Sequence, residues 1–238
     1  MREKGQKVLG VMGGMGPLAT QHFYKKIIEK TAASQDQDHL NMIVLNHVSM
    51  PDRTAAIKSG DLEDLYHKLL HDAKFLEVGG ADYIAIPSNS CHLLVDRLQK
   101  HLKIPIIHMI KEAALSVYCR HGSNFKMGIL AADGTLATKL YQEECKALDI
   151  KVLEPSAENQ ERIMNIIYKG IKGGAPINKK EFEKVEREMK EEGCKCVLLA
   201  SAELSCFKEM YGLSDFYIDA MDVLADRAIV LCEKTLKE

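Results

Sequence analysis

The 238-residue sequence predicts an α/β protein built from two similar halves, each a parallel sheet flanked by helices, related by a pseudo-twofold axis with a cleft between them. Two observations carry that expectation. Short apolar runs alternate with longer amphipathic ones along the whole chain, the pattern of parallel strands joined by helical crossovers. The sequence also echoes itself. Met15-Gly16-Pro17-Leu18-Ala19-Thr20 after the first apolar run returns as Asp133-Gly134-Thr135-Leu136-Ala137-Thr138, with Met15 and Asp133 118 residues apart. Pro87-Ser88-Asn89-Ser90 returns as Ala200-Ser201-Ala202-Glu203, with Ser88 and Ser201 113 residues apart. Two features repeating at nearly one offset point to a duplicated unit.

Taken in order, strands are expected at 7–12, 42–47, 83–86, 105–109, 125–130, 151–153, 196–200 and 216–218. Helices are expected at 18–34, 62–78, 91–101, 110–119, 137–148, 158–171, 180–192 and 221–234. Asp61 is placed to cap the second helix, and Gly79, Gly80 and Gly193 punctuate two helix ends before strands. The corresponding domains are 1–117 completed by 210–238, and 118–209. In such folds ligands bind beyond the carboxyl ends of the strands, so both repeated loop pairs should face one cleft.

Composition narrows the function classes. Hydrophobic residues make up 46% and charged residues 28% of the chain, and the net charge of -2 gives no electrostatic reason to expect nucleic acid or an anionic membrane as partner. No stretch reaches the apolar length of a membrane span, and the charged start of the chain does not read as a signal peptide. Seven cysteines without a disulfide-framework spacing fit reduced thiols and a cytoplasmic location. Cys194 and Cys196 form a Cys-x-Cys pair, but no second ligand pair stands nearby at metal-binding spacing, and no metal is expected.

Gly13-Gly14-Met15-Gly16-Pro17 lies between a strand and a helix. It is either an anion-binding loop at a helix N-terminus or a tight turn that needs glycine for positive φ; its glycine order fits neither a dinucleotide fingerprint nor a Walker loop. Asn89 and Ser90 could cap a helix or face a ligand. Cys91 and His92 are neighbours, which does not make a bonded dyad; Cys91 reads as a small buried residue, and His92 as an acid or as a prop for Ser88. Glu203 offers a carboxylate for a ligand ammonium group or a favourable charge at a helix start. Arg53 offers bidentate recognition of a carboxylate or a surface pair with Asp52, and Lys169 and Lys172 end an amphipathic helix.

Together these motifs resemble the cofactor-independent aspartate/glutamate racemases. The likeness runs through Leu9-Gly10-Val11-Met12-Gly13-Gly14-Met15-Gly16-Pro17, Asp36-Gln37-Asp38-His39, Pro51-Asp52-Arg53-Thr54, Pro87-Ser88-Asn89-Ser90-Cys91-His92, Ile104-Pro105-Ile106-Ile107-His108-Met109, Gly134-Thr135, Ile167-Tyr168-Lys169-Gly170-Ile171-Lys172 and Leu199-Ala200-Ser201-Ala202-Glu203-Leu204. The resemblance implies a two-domain isomerase using neither pyridoxal phosphate nor metal, acting on aspartate or glutamate as a homodimer. Two cysteines in such enzymes face opposite sides of Cα; here those positions are Ser88 and Ser201. The resemblance further places the α-carboxylate at Gly14, Met15, Asn89, Ser90 and Thr135, the side-chain carboxylate at Arg53 and Lys172, and an acidic residue at Glu203. Alanine stands at Ala132 and Ala202, where the family more usually carries threonine.

Serine at both positions changes the expected chemistry. A cysteine titrates near ~8.5 and can be tuned lower, whereas an alkanol has no accessible anion at neutral pH without an adjoining strong base. The chain is therefore expected to bind an acidic amino acid with little or no turnover. An engineered Cys→Ser replacement accounts for near-isosteric changes at both positions; a natural binder, or a related isomerase such as a maleate isomerase or hydantoin racemase, is the alternative.

Overall fold

The computed structural model describes residues 6–237; the charged start at 1–5 and residue 238 lie outside it. The first half holds strands β1 (Val8–Gly13), β2 (Asn41–Asn46) and β3 (Tyr83–Ala85) in the parallel order β2-β1-β3. The second holds β4 (Phe125–Leu130), β5 (Ile150–Leu153), β6 (Cys196–Leu199) and β7 (Tyr217–Asp219) in the parallel order β5-β4-β6-β7. Each half thus sets its first strand at the centre and its second at one edge. The expected strand at 105–109 shrinks to a parallel bridge between Ile106 and Ile84, in the place beside β3 that β7 takes beside β6. It stops short because His108 already caps the next helix, its side chain accepting from the Lys111 amide.

The pleat directs alternate residues to two kinds of core. Leu9 and Val11 of β1 and Met127 and Ile129 of β4 point into one continuous apolar core shared by both halves. Met12 faces an outer core of the first half, and Leu130 an outer core of the second. Gly10 and Gly128, at the same 118-residue offset, both lie under an outer helix: an added Cβ would come within 3.2 Å of Leu76 in one case and 2.6 Å of the Met189 sulfur in the other.

The helices flanking the shared core are α1 (Pro17–Lys30), α5 (Met109–His121), α7 (Leu140–Ala147) and α11 (Ala220–Leu231). They are exchanged between the halves: α5, closing the first half, packs on α7 of the second, and α11 packs back on α1, with α5 against α11. The expected division at 210 is therefore corrected in detail. β7 belongs to the second sheet, and only the helix after it joins the first half, because Val197, Leu198 and Leu199 offer β7 an unfilled sheet edge. Polar contacts lock α11 in place: Lys26 of α1 bonds Asp222 at 2.7 Å and lies 3.5 Å from the buried Asp219, which caps α11 through the Met221 amide. The remaining helices are α2 (Arg53–Ser59), α3 (Glu63–Val78), α4 (Val95–Gln99), α6 (Asp133–Thr138), α8 (Ala157–Asn165), α9 (Lys179–Glu191) and α10 (Ala202–Tyr211). The expected cap at Asp61 shifts by one residue: Leu62 takes the capping position of α3, and Asp61 accepts from the Glu63 amide. Among the described residues no helix is long and apolar enough to cross a membrane.

Candidate active site

The repeated loops meet at the carboxyl ends of the two sheets, as the echo predicts. They enclose a narrow cleft between the two halves, lined mostly by polar side chains. Met15, Ser88, Asn89 and Ser90 line it from the first half, and Thr135, Ser201 and Glu203 from the second. Arg53 and Lys172 complete the lining with two cations.

Gly14 is the one expected site residue the structure sets outside this lining. Its amide donates to Thr20 Oγ1 at 2.8 Å, so it is not free for an anion, and the expected carboxylate contact there is corrected. Gly14 serves the turn instead. Its φ of +92° lies in the left-handed region, and an added Cβ would fall 2.4 Å from the His47 backbone. Met15, the next residue, does reach the cleft.

Ser88 and Ser201 are both buried at 6% exposure, on opposite halves of the cleft. Their surroundings differ. The Ser201 hydroxyl donates to Glu203 Oε2 at 2.7 Å. The residue at the same offset in the first half is Ser90, so Ser88 has no corresponding carboxylate. His92 does not substitute for one. Its Nδ1 donates to the Ser88 carbonyl oxygen at 3.0 Å, while Nε2 accepts from the Met109 amide at 3.1 Å. That pairing fixes the neutral tautomer. Burial, with His108 nearby, pushes the His92 pKa down to about 4. Of the two roles open in sequence, His92 takes that of prop: it fixes the loop through the backbone of Ser88.

The cysteines near the paired serines sit in surroundings that disfavour their thiolates. Cys91 is fully buried, 3.4 Å from the Met15 sulfur, and burial pushes its thiol up. Cys206 lies on α10 outside the cleft lining, with its thiol pushed up to about 12 by burial.

Arg53 begins α2, and Asp52 is spent as that helix's cap, accepting from the Ala55 amide at 2.8 Å. The surface pair between them that sequence leaves open does not form; Arg53 donates to the Pro51 carbonyl at 3.1 Å and keeps its other donors for the cleft. Lys172 arrives by a π-helical stretch, Ile166–Lys172, that continues α8. The wider turn brings Lys172 to the cleft and leaves Lys169 exposed. Lys172 Nζ stands 3.6 Å from Glu203 Oε1 and 4.2 Å over the Tyr168 ring. Tyr168 in turn donates to Thr54 Oγ1 at 3.0 Å across the two halves.

Two further residues support this site without having been singled out from the sequence, Tyr141 outside every motif and Thr54 inside Pro51-Asp52-Arg53-Thr54. Tyr141 of α7, fully buried, donates its phenol to Asn89 Oδ1 at 2.5 Å. Asn89 begins the 3-10 turn Ser90–Leu94 without capping it through its side chain, and its Nδ2 has no partner among the described residues. Thr54, on α2, meets Gly134 of α6 so closely that an added Cβ would lie 2.8 Å from the Thr54 Cα.

A profile of the Asp/Glu/Hydantoin racemase family matches residues 12–228, and the chain belongs to that family. Its fold is that of an aspartate racemase from Picrophilus torridus, with a TM-score of 0.82 and 26% identity over 97% of this chain and 96% of that one. An aspartate racemase homologue from Pyrococcus horikoshii superposes with a TM-score of 0.77 at 24% identity, over 96% and 99% of the two chains. A broad specificity amino-acid racemase from Bacillus subtilis is 28% identical over 143 residues, which span 58% of this chain and 60% of that relative.

Proposed function

We propose that this chain binds an acidic amino acid, aspartate or glutamate, in the cleft, and that with serine at both proton-transfer positions it moves the Cα proton very slowly. One observation carries the reading: Ser88 and Ser201 line a single cleft from equivalent loops of the two halves, the arrangement a two-base exchange at Cα requires. Arg53 and Lys172 give the cleft two cations for a side-chain carboxylate, which favours a dicarboxylic amino acid over an uncharged hydantoin. Glu203 offers the ammonium group a counter-charge, and Asn89, Ser90 and Thr135 offer polar contacts for the α-carboxylate. The likeness to the Picrophilus torridus aspartate racemase supports the substrate class. Slow turnover follows from the unequal serines. Glu203 adjoins one hydroxyl, while among the described residues no carboxylate or imidazole bonds the other, so one face of Cα has no base. A cytoplasmic setting, supported by seven free cysteines, and a homodimer, supported by the resemblance alone, complete the proposal.

The test is deuterium incorporation from solvent at Cα of L- and D-aspartate and L- and D-glutamate. It is run on this chain and on the Ser88→Cys, Ser201→Cys double variant. The double variant should exchange both enantiomers of one amino acid while the serine chain does not exchange at an enzymic rate. A double variant that neither binds nor exchanges any of the four would overturn the racemase reading. Rapid exchange by the serine chain would overturn the claim of slow turnover.

A further inference from the structure

The contact between Tyr141 and Asn89 joins the two halves at the cleft wall, and it has a counterpart that shows what it is not for. The 118-residue offset carries Tyr141 onto Phe23, and the 113-residue offset carries Asn89 onto Ala202. Phe23 and Ala202 are both buried in the shared core. In the second copy of the motif the aromatic helix residue and the loop residue are thus apolar, and the fold closes there without a hydrogen bond. Packing alone therefore does not call for a phenol at 141 or a carboxamide at 89. A buried polar pair at one of two equivalent places, at the cleft, needs another reason.

The reason is at the other end of the carboxamide. Asn89 is 4% exposed and lines the cleft, its Oδ1 is taken by the Tyr141 hydroxyl, and its buried Nδ2 has no partner among the described residues. A carboxamide can rotate to exchange its oxygen and nitrogen. With a buried phenol donating to one end, the orientation that leaves the oxygen bonded and the two N–H donors unspent is held. An unpaired buried donor is costly unless a ligand acceptor meets it.

We infer that Tyr141 is a positioning residue for substrate recognition: its phenol fixes the Asn89 carboxamide so that Nδ2 presents its donors to the carboxylate of the bound amino acid. The inference rests on the reading of the cleft as an amino-acid site. It also gives the pseudo-symmetric cleft a direction, since only the first half carries this donor. The ligand's carboxylate is held on the Asn89 side, and the orientation of the substrate follows from residues of both halves.

A double-mutant cycle tests this. Dissociation constants for L- and D-aspartate and L- and D-glutamate are measured by calorimetry for the full chain, Tyr141→Phe, Asn89→Ala and the double variant, with the Tm of each. Tyr141→Phe, which reproduces Phe23 at the equivalent place in the first half, should weaken binding about tenfold, the scale of one hydrogen bond to a charged group. In the Asn89→Ala background the same change should alter binding less than about twofold. A purely structural role would weaken binding by the same factor in both backgrounds, and that result, or unchanged binding in Tyr141→Phe, would overturn the assignment. A second reading comes from the full chain alone. The side-chain N–H resonances of Asn89, identified by their loss in Asn89→Ala, should shift when aspartate or glutamate is added, and binding without a shift would overturn the assignment as well. If none of the four amino acids binds the full chain, the functional reading itself falls and Asn89 has no carboxylate to hold; binding without coupling removes only the role of Tyr141.

Discussion

The Ser201 hydroxyl donates to the Glu203 carboxylate at 2.7 Å, while the equivalent Ser88 has His92 bonded to its backbone carbonyl and the buried Cys91 thiol, not a carboxylate, beside its side chain. The two sides of the cleft are therefore electrostatically unlike, and a thiol introduced on each side should behave differently. In Ser201→Cys the neighbouring carboxylate disfavours the thiolate and raises the pKa of the introduced thiol. In Ser88→Cys no carboxylate among the described residues bonds the position, and Arg53 in the same lining favours the thiolate. Titration of the two single variants by thiolate absorbance should give the higher value for Ser201→Cys. Adding Glu203→Gln should lower that value by about one unit or more. Equal titration of both would show that Glu203 does not govern its side.

The α2–α6 contact predicts a variant that impairs binding more than folding. Gly134→Ala would drive a methyl group to 2.7 Å from Thr54 Oγ1 and 2.8 Å from its Cα. α2 has no buried residue, so it can yield by moving away from α6, carrying Arg53 with it. Calorimetry should show amino-acid affinity falling about tenfold or more, while Tm changes by only a few degrees, roughly the effect of 1 kcal/mol. Loss of fold without selective loss of affinity would mean that α2 is rigidly fixed.

At Gly14 the reverse is expected. Its φ of +92° and the 2.4 Å approach of an added methyl to the His47 backbone leave the turn no direction in which to relax. Gly14→Ala should lower unfolding stability by at least ~2 kcal/mol in urea denaturation. A change below about 0.5 kcal/mol would show that the loop tolerates a different backbone path.

Acid should weaken the fold through His92. Its pKa in the folded chain is about 4, below the usual value of 6.5. Between those values the unfolded chain takes up a proton that the folded chain refuses. Stability from this group is therefore full above about pH 6.5 and is lost progressively as pH falls toward 4, by about 3 kcal/mol in all. Urea denaturation at pH 7 and pH 4.5 should show the loss, and His92→Gln, which keeps a neutral polar side chain, should reduce it. An unchanged pH difference in that variant would assign the loss to other groups.

Much of this was legible in the sequence because the duplication made it so. β4 falls on 125–130 as expected, and the paired loops at Ser88 and Ser201 do share one cleft. What stayed hidden has physical causes. α10 shows no amphipathic stripe, since Ala202 through Phe207 are all buried, and its helical period is invisible to hydropathy. α2 is the opposite case, a short helix with no buried residue. The placement of Lys172 depends on a π-helical register, which a 3.6-residue period does not anticipate. The commitment of the Gly14 amide to Thr20, and the Tyr141–Asn89 bond across halves, are tertiary contacts with no local trace.

The exchange of α5 and α11 between halves has a consequence for how the cleft could become one-sided. A half-length chain of this topology would bury its last helix only against a second copy of itself, and every cleft residue would then occur twice, on identical walls. Joining the copies end to end preserves the swapped helices while releasing the two walls from identity. One wall could then keep a carboxamide steered by Tyr141, and the other a carboxylate beside Ser201, a division of labour closed to a symmetric pair.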